Sequence, residues 1–343
     1  MFYGYEEKVH VSSGEYVRLG TTGLKVSRLC LGTMTFGTQA DEKESFAILN
    51  KAFDAGVNFI DTADVYPLGG GHELAGTTES IIGKWLPRHR DEVVIATKCV
   101  GEMGRLPHQR GASRRHIFDA VDASLKRLNT DYIDLYQLHS YDPETKIEES
   151  LSALDDLVHM GKVRYVGCSN FKAWQLARAL GKSETHSLVR FDSVQPRYNL
   201  LFREIERELL PLCLEEGVGV IPYNPIAGGL LSGKHLGSTE PEPGTRFNSS
   251  KASQLYRDRY WHKDMFEMVN DVIEVAKRPG VPVVTLAVAW VAAHTAVTSP
   301  IIGASKASQL DDSLKALDYV IDPQLKKELD EMTMQYRRGD SER

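Results

Sequence analysis

Short apolar runs along this chain end, one after another, in side chains able to move a proton or make directed hydrogen bonds. The run 58–60 meets Asp61, 93–97 meets Lys98, and 132–138 meets His139. Further on, 163–168 meets Ser169 and Asn170, 192–194 meets Gln195, and 219–222 meets Tyr223. Each residue alone also suits a plain structural role. Asp61 lies in DTAD, which fits an Asx turn. Lys98 could be a solvated edge charge, His139 a satisfied core histidine, and Tyr223 packing between Pro222 and Pro225. Taken together they are harder to explain by packing. The runs are far apart in sequence, and an acid, an amine, an imidazole, two amides and a phenol share only the position at a strand end.

The elements that must position them alternate almost from end to end. Strand-like runs are 28–34, 57–61, 92–98, 131–139, 163–170, 191–195, 218–223 and 299–305. Amphipathic helical stretches lie between them, including 42–56 with a glycine stop and 113–128 behind a Ser113 cap. Thr78 reads as the cap of the helix that follows it. Eight such strands over one domain length predict an α/β fold, a (β/α)8 TIM barrel. A doubly wound sheet split into two domains is the competitor, but no linker-like stretch divides the chain. In a barrel of this kind the C-terminal strand ends form one rim, where active sites sit.

Two segments fall outside the repeat. Residues 1–27 precede the first barrel strand, and the stretch 17–29 reads as an N-terminal hairpin turning at Thr21–Gly23. Residues 224–262 form a long Pro/Gly/Ser-rich loop after the seventh strand, of the size of a lid or binding loop. The expected organisation is one barrel domain over 1–343, with an extension at 1–15 and a polar tail at 335–343.

Other chemistries find little support. No GxGxxG follows a strand, so a Rossmann fingerprint is absent. GGLLSGKH at 228–235 approaches a P-loop, but His235 replaces the required Ser/Thr. A glycine-rich loop with a lysine can still approach a pyrophosphate. No nucleophile elbow appears, and the four cysteines lie far apart without CxxC spacing, arguing against a metal site or disulfide framework. The 343 residues are 42% hydrophobic and 26% charged with a net charge of −6 and no basic cluster. A nucleic-acid partner is therefore not expected. The longest apolar stretch, 281–293, is too short for a membrane span, and no secretory leader is seen; a cytoplasmic setting is expected.

From about Tyr16 to Met334 the chain resembles the aldo-keto reductases, on the branch that includes potassium-channel β subunits. The resemblance rests on LGTMTFG (31–37), NFIDTADVY (58–66), ATK (96–98), YIDLYQLH (132–139), GKVRYVGCSNF (161–171), VQPRYNLL (194–201), PYNPIAGGLLSGK (222–234) and PIIGAS (300–305). It implies a catalytic tetrad at Asp61, Tyr66, Lys98 and His139, with Tyr66 as general acid. Asp64 is a nearby rival to Asp61. The implied cofactor is NADPH in preference to NADH, bound extended.

By position, Ser169, Asn170 and Gln195 would hold the nicotinamide amide, and Tyr223 would stack on its ring. Asn224, Pro225, Ile226, Ala227, Gly229, Lys234 and Arg246 match the segment covering the pyrophosphate. Gly303, Ser305, Lys306 and Gln309 match the 2′-phosphate and adenine end, and Thr35 joins the same cofactor set. Asp312 and Ser313 stand where the family often has Glu-Asn. The stretch 67–78 is longer than the family's usual connection and borders the substrate mouth.

The implied activity is reduction of an aldehyde or ketone to an alcohol. Met34, Met103, Tyr141 and Trp261 are candidate walls for a bulky substrate such as a keto-sugar or terpenoid. Aldose or alcohol oxidation, nucleotide-sugar keto or enoyl reduction, and an NADPH-sensing channel-type subunit are the alternatives. In this reading Lys98 stabilises the Tyr66 phenolate and lowers its pKa, Asp61 aims Lys98, and His139 orients the carbonyl.

Overall fold

The computed structural model describes residues 16–248 and 253–338. Its ten strands are β1 (Tyr16–Arg18), β2 (Lys25–Ser27), β3 (Cys30–Gly32), β4 (Phe59–Asp61), β5 (Val94–Cys99), β6 (Ile133–Leu138), β7 (Val163–Ser169), β8 (Ser193–Gln195), β9 (Gly219–Val220) and β10 (Ile301–Gly303). Strands β3 to β10 form one parallel sheet in the order β10-β3-β4-β5-β6-β7-β8-β9. Parallel bridges Val220↔Val297 and Tyr223↔Ile301 join its two edges. The Ile301 amide donates to the Pro222 carbonyl at 2.8 Å, so the sheet closes into the expected barrel.

The helices are α1 (Glu42–Asp54), α2 (Thr77–Trp85), α3 (Arg114–Leu128), α4 (Ile147–His159), α5 (Ala173–His186), α6 (Leu209–Glu216), α7 (Ser253–Tyr260), α8 (Lys263–Lys277), α9 (Val283–Ala292), α10 (Leu310–Leu314) and α11 (Pro323–Met332). Local chemistry sets several of their ends. Asp41 accepts from the Glu44 amide at 2.8 Å and Ser113 from the His116 amide at 3.3 Å, as N-caps do. Thr78 is not a cap. Helix α2 starts one residue earlier behind Gly76, and the Thr78 hydroxyl donates to the Phe36 carbonyl at 2.8 Å, tying the helix to the loop after β3.

Alternation along the strands builds two cores. Outward residues such as Leu31, Ile60, Ile95, Tyr136, Val166 and Val220 pack under the helices. Inward residues Cys30, Phe59, Val94, Ala96, Leu135, Ile221 and Ile301 fill the barrel, joined by Leu19 and Val26 from the hairpin. The β1–β2 hairpin thus seals the N-terminal end. Its Thr21 amide bonds the Gly217 carbonyl at 3.0 Å. Gly20, at φ +57, lies so close to Gly217 that a Cβ there would meet its oxygen at 2.5 Å.

Two expectations need correction. The stretch 224–262 carries structure of its own, a 3-10 turn at Ala227–Ser232 and helix α7. The region from 335 does not begin as a free tail: Tyr336 is 1% exposed and its carbonyl accepts from the Arg203 amide at 2.9 Å. Residues 1–15 and 339–343 lie outside the described residues.

Candidate active site

Strand register assembles the polar layer at the barrel's C-terminal rim. Asp61 on β4 is opposite Ala96 on β5, so Lys98, two residues on, shares its inward face. Lys98 is opposite Gln137, and Ser169 is opposite Gln195. Across the barrel the Asp61 carboxylate collects all three neighbours. Lys98 Nζ donates to Oδ2 at 2.5 Å, and Gln195 and Gln137 donate to Oδ1 at 2.8 and 3.1 Å. Lys98 also donates to the Thr62 carbonyl at 2.7 Å. Gly167 makes room for this layer, since a Cβ there would fall 2.6 Å from Ser193 Oγ and 3.2 Å from Gln137 Cγ.

The electrostatics follow from burial. Asp61 and Lys98 are 2% and 0% exposed. Burial opposes charge on Lys98, but the Asp61 carboxylate more than offsets it and holds the ammonium above the ordinary lysine range. Lys98 Nζ stands 5.0 Å from the centre of the Tyr66 ring. Tyr66 is pushed above the ordinary tyrosine pKa because its desolvation outweighs the pull of the Lys98 charge and hydrogen bond. The expectation of a lowered pKa is corrected accordingly: the lysine restrains the rise without reversing it.

His139 meets Tyr66 edge-on, with ring centres 5.7 Å apart. Burial, reinforced by the nearby Lys98 charge, lowers its pKa to about 3, so the imidazole is neutral. Asp64, the rival acid, faces the other way. Its carboxylate is buried, and burial with the Glu79 charge raises its pKa well above normal. It belongs to a buried group behind the barrel, where Glu79 accepts from Thr97 Oγ1 and Arg127 Nε at 2.5 and 2.7 Å.

A cavity of about 290 Å³ opens over this layer, lined by Asp61, Tyr66, His139, Ser169, Asn170, Gln195, Tyr223, Asn224 and Gly303. Tyr223 donates to Asn170 Oδ1 at 2.8 Å, and Asn170 Nδ2 donates to the His139 carbonyl at 2.9 Å and Ser169 Oγ at 3.1 Å. Ser169 Oγ in turn donates to the Gln195 carbonyl at 2.8 Å. Asn170 and Asn224 reach these positions through left-handed backbone, φ 58° and 60°, which asparagine tolerates.

A second cavity of about 300 Å³ adjoins the first and shares Asn224, Arg246, Ile301, Ile302 and Gly303 with it. Thr35, Pro225, Ile226, Gly229, Lys234, Ser305, Lys306, Gln309 and Ser313 complete the predicted residues on its wall. No carboxylate is among the described lining residues, while Lys234, Arg246 and Lys306 are. Burial and the adjacent Arg246 charge depress the Lys234 pKa, a repulsion that a bound anion relieves. The buried Asn224 Nδ2 has no hydrogen-bond partner among the described residues. Gly229 leaves the backbone open at φ +105, where a Cβ would meet only the Lys234 side chain, at 3.7 Å. These residues fit an extended, phosphate-bearing ligand. One helix-start donor is already used: the Ala307 amide bonds Glu44 Oε1 at 2.6 Å.

Some predicted residues lie elsewhere. Ala227 is buried beneath the 3-10 turn, and Asp312 bonds Lys315 at 2.8 Å away from both cavities. Met34 lines the first cavity, whereas Met103, Tyr141 and Trp261 do not. Tyr141 packs against Phe171 at 5.4 Å, and Trp261 against Phe247 at 5.0 Å. The outer wall is instead Leu68, Leu255, Tyr256 and Arg259. Gln137 is legible in principle, being two residues before His139 on the same strand face. The α7 residues carry no comparable signal.

A barrel with this polar rim and these joined cavities is a small-molecule enzyme scaffold, and residues 28–333 match the model of the Aldo/keto reductase family. The chain belongs to that family and is related to oxidoreductases over nearly its whole length. It is 40% identical to the uncharacterized oxidoreductase YrpG of Bacillus subtilis, covering 93% of this chain and 95% of that one. It is 35% identical to versiconal hemiacetal acetate reductase of Aspergillus parasiticus, covering 90% and 94%. A probable voltage-gated potassium channel subunit beta of Arabidopsis thaliana is 37% identical, covering 89% and 92%.

Proposed function

We propose that this protein is an NADPH-dependent carbonyl reductase in which Tyr66 is the general acid. The observation that carries this reading is the buried Asp61–Lys98 pair set beside the Tyr66 phenol, with neutral His139 on its other side. When bound, NADPH supplies the hydride that reaches the carbonyl carbon.

The chain's own groups manage the proton. Tyr66, with its pKa above the ordinary tyrosine value, is protonated at neutral pH, which is the form a donor needs. As its proton passes to the carbonyl oxygen, the developing phenolate gains the full attraction of the Lys98 ammonium. Asp61 keeps that ammonium charged and fixed. Neutral His139 orients the carbonyl oxygen by a hydrogen bond without competing for the charge. Ser169, Asn170 and Gln195 hold the nicotinamide amide, and Tyr223 offers its ring face. Lys234 and Arg246 meet the pyrophosphate; Ser305 and Lys306 select the 2′-phosphate.

The four cysteines are buried, free thiols, which supports a reducing, cytoplasmic setting. No helix among the described residues is long and apolar enough to cross a membrane. Loss of NADPH absorbance on mixing with a panel of aldehydes and ketones tests the proposal. Turnover with NADPH is expected; absence of turnover across the panel, with cofactor bound, refutes it.

A further inference from the structure

We propose that Arg259 is an anion-recognition residue and that the preferred substrate carries a carboxylate or phosphate away from its carbonyl group. This rests on the reductase reading and narrows its substrate class.

Arg259 lies in the last turn of α7, and Leu255 and Tyr256, one turn earlier, line the same cavity as Arg259. The neighbouring basic residue has a structural task. Arg257 donates to the Phe247 carbonyl at 2.7 Å and to Gln254 Oε1 at 2.6 Å. Asp258 does not neutralise Arg259, since its Oδ1 accepts from Gln254 at 2.6 Å. Arg259 itself forms no ion pair or hydrogen bond among the described residues, although it is half-buried. A half-buried guanidinium without an acceptor is costly, and a bound anion removes that cost.

Position separates it from the other cations. Arg246 lines both cavities, and Lys234 and Lys306 line the second but not the first. Arg259 lines only the first, the cavity whose wall also holds Tyr66 and His139. Its charge acts on the Tyr223 hydroxyl at that mouth. The one acid among the described residues lining this cavity, Asp61, is already matched by Lys98. The outer mouth is therefore electropositive, with Leu68, Leu255 and Tyr256 as its apolar walls.

The test compares 4-carboxybenzaldehyde and 4-formylphenyl phosphate with the neutral methyl 4-formylbenzoate, in wild type, Arg259→Met and Arg259→Lys. Wild type should favour at least one anionic aldehyde by roughly 10- to 100-fold in kcat/KM. Arg259→Met should abolish that preference, bringing the anionic and neutral aldehydes to similar kcat/KM, with the KM for NADPH unchanged; Arg259→Lys should restore part of it. Which anion gains more tells carboxylate from phosphate. Equal kcat/KM for charged and neutral aldehydes in wild type overturns the proposal. So does a rise in the NADPH KM shared by all substrates, which places Arg259 in the cofactor site. Calorimetric titration of benzoate into NADP-saturated protein reads the same contact without turnover. Binding weakened about tenfold in Arg259→Met upholds it, and equal binding sinks it. A protein that binds benzoate through Arg259 but reduces no aldehyde refutes the reductase reading alone.

Discussion

Lys98 and Asp61 sit on adjacent strands, and their 2.5 Å contact lies almost wholly out of solvent. Two further amides, from Gln137 and Gln195, close on the same carboxylate. A buried pair of this kind is costly to break from one side, because the surviving charge loses its partner. Asp61→Asn and Lys98→Met should each destabilise the fold by about 3–5 kcal/mol in urea titrations. The double variant Asp61→Asn/Lys98→Met should recover much of that stability while remaining inactive. Additive losses in the double variant would mean that the two groups do not act as a pair.

Tyr66→Phe removes the proposed proton donor and little else. Carbonyl reduction should fall by roughly 10²–10⁴-fold, with NADPH affinity by fluorescence titration essentially unchanged. Retained turnover would take the general acid away from Tyr66.

The pH profile discriminates between the two groups flanking the substrate oxygen. His139 ionises near 3, so it is neutral over the working range and adds no inflection there. Tyr66 is protonated below a pKa that lies above the ordinary tyrosine value, and it loses donor capacity only as pH rises through that value. Reduction should thus be flat from about pH 5 upward and decline only above about pH 10. Alcohol oxidation, which needs the phenolate, should rise with pH. A reduction limb near neutral pH would show a charged histidine in the mechanism. The lowered His139 pKa also has a stability consequence: its neutral form favours folding above about pH 6.5, a contribution lost as pH falls toward 3.

The proposed preference for NADPH rests on the far end of the second cavity. Lys306 is exposed there without an ion pair among the described residues, and Glu44 already occupies the Ala307 amide. Lys306→Glu would add a second carboxylate near a 2′-phosphate. The KM for NADPH should rise by about tenfold or more while that for NADH changes little. Unchanged selectivity in steady-state assays would remove Lys306 from this role.

Much of this architecture is legible in the order of residues alone. Continuous apolar runs mark the strands, buried on both faces, and the residue ending each run falls on the rim; strand register then sets which of those residues face inward. That is why Asp61, Lys98 and His139 converge. Asp64 is ambiguous in sequence because it lies beyond the strand, where periodicity no longer tells direction. Thr78 looks like a cap, but its hydroxyl serves a tertiary bond to Phe36, which local pattern cannot reveal. The substrate walls are least legible. Tyr141 and Trp261 pack into aromatic clusters of their own, while Arg259 enters from a short helix inside a stretch with loop-like composition. Long-range placement decides such positions, and spacing along the chain says nothing of it.

The hairpin seal has a kinetic corollary. Leu19 and Val26 cap a barrel already filled by Cys30, Phe59, Leu135 and Ile221, so nothing crosses to its N-terminal end and reactants come and go at the rim. If the proposed cofactor lies beneath the carbonyl substrate at that rim, the inner molecule arrives first and departs last. Product inhibition should therefore be competitive against the inner reactant for only one of the two products.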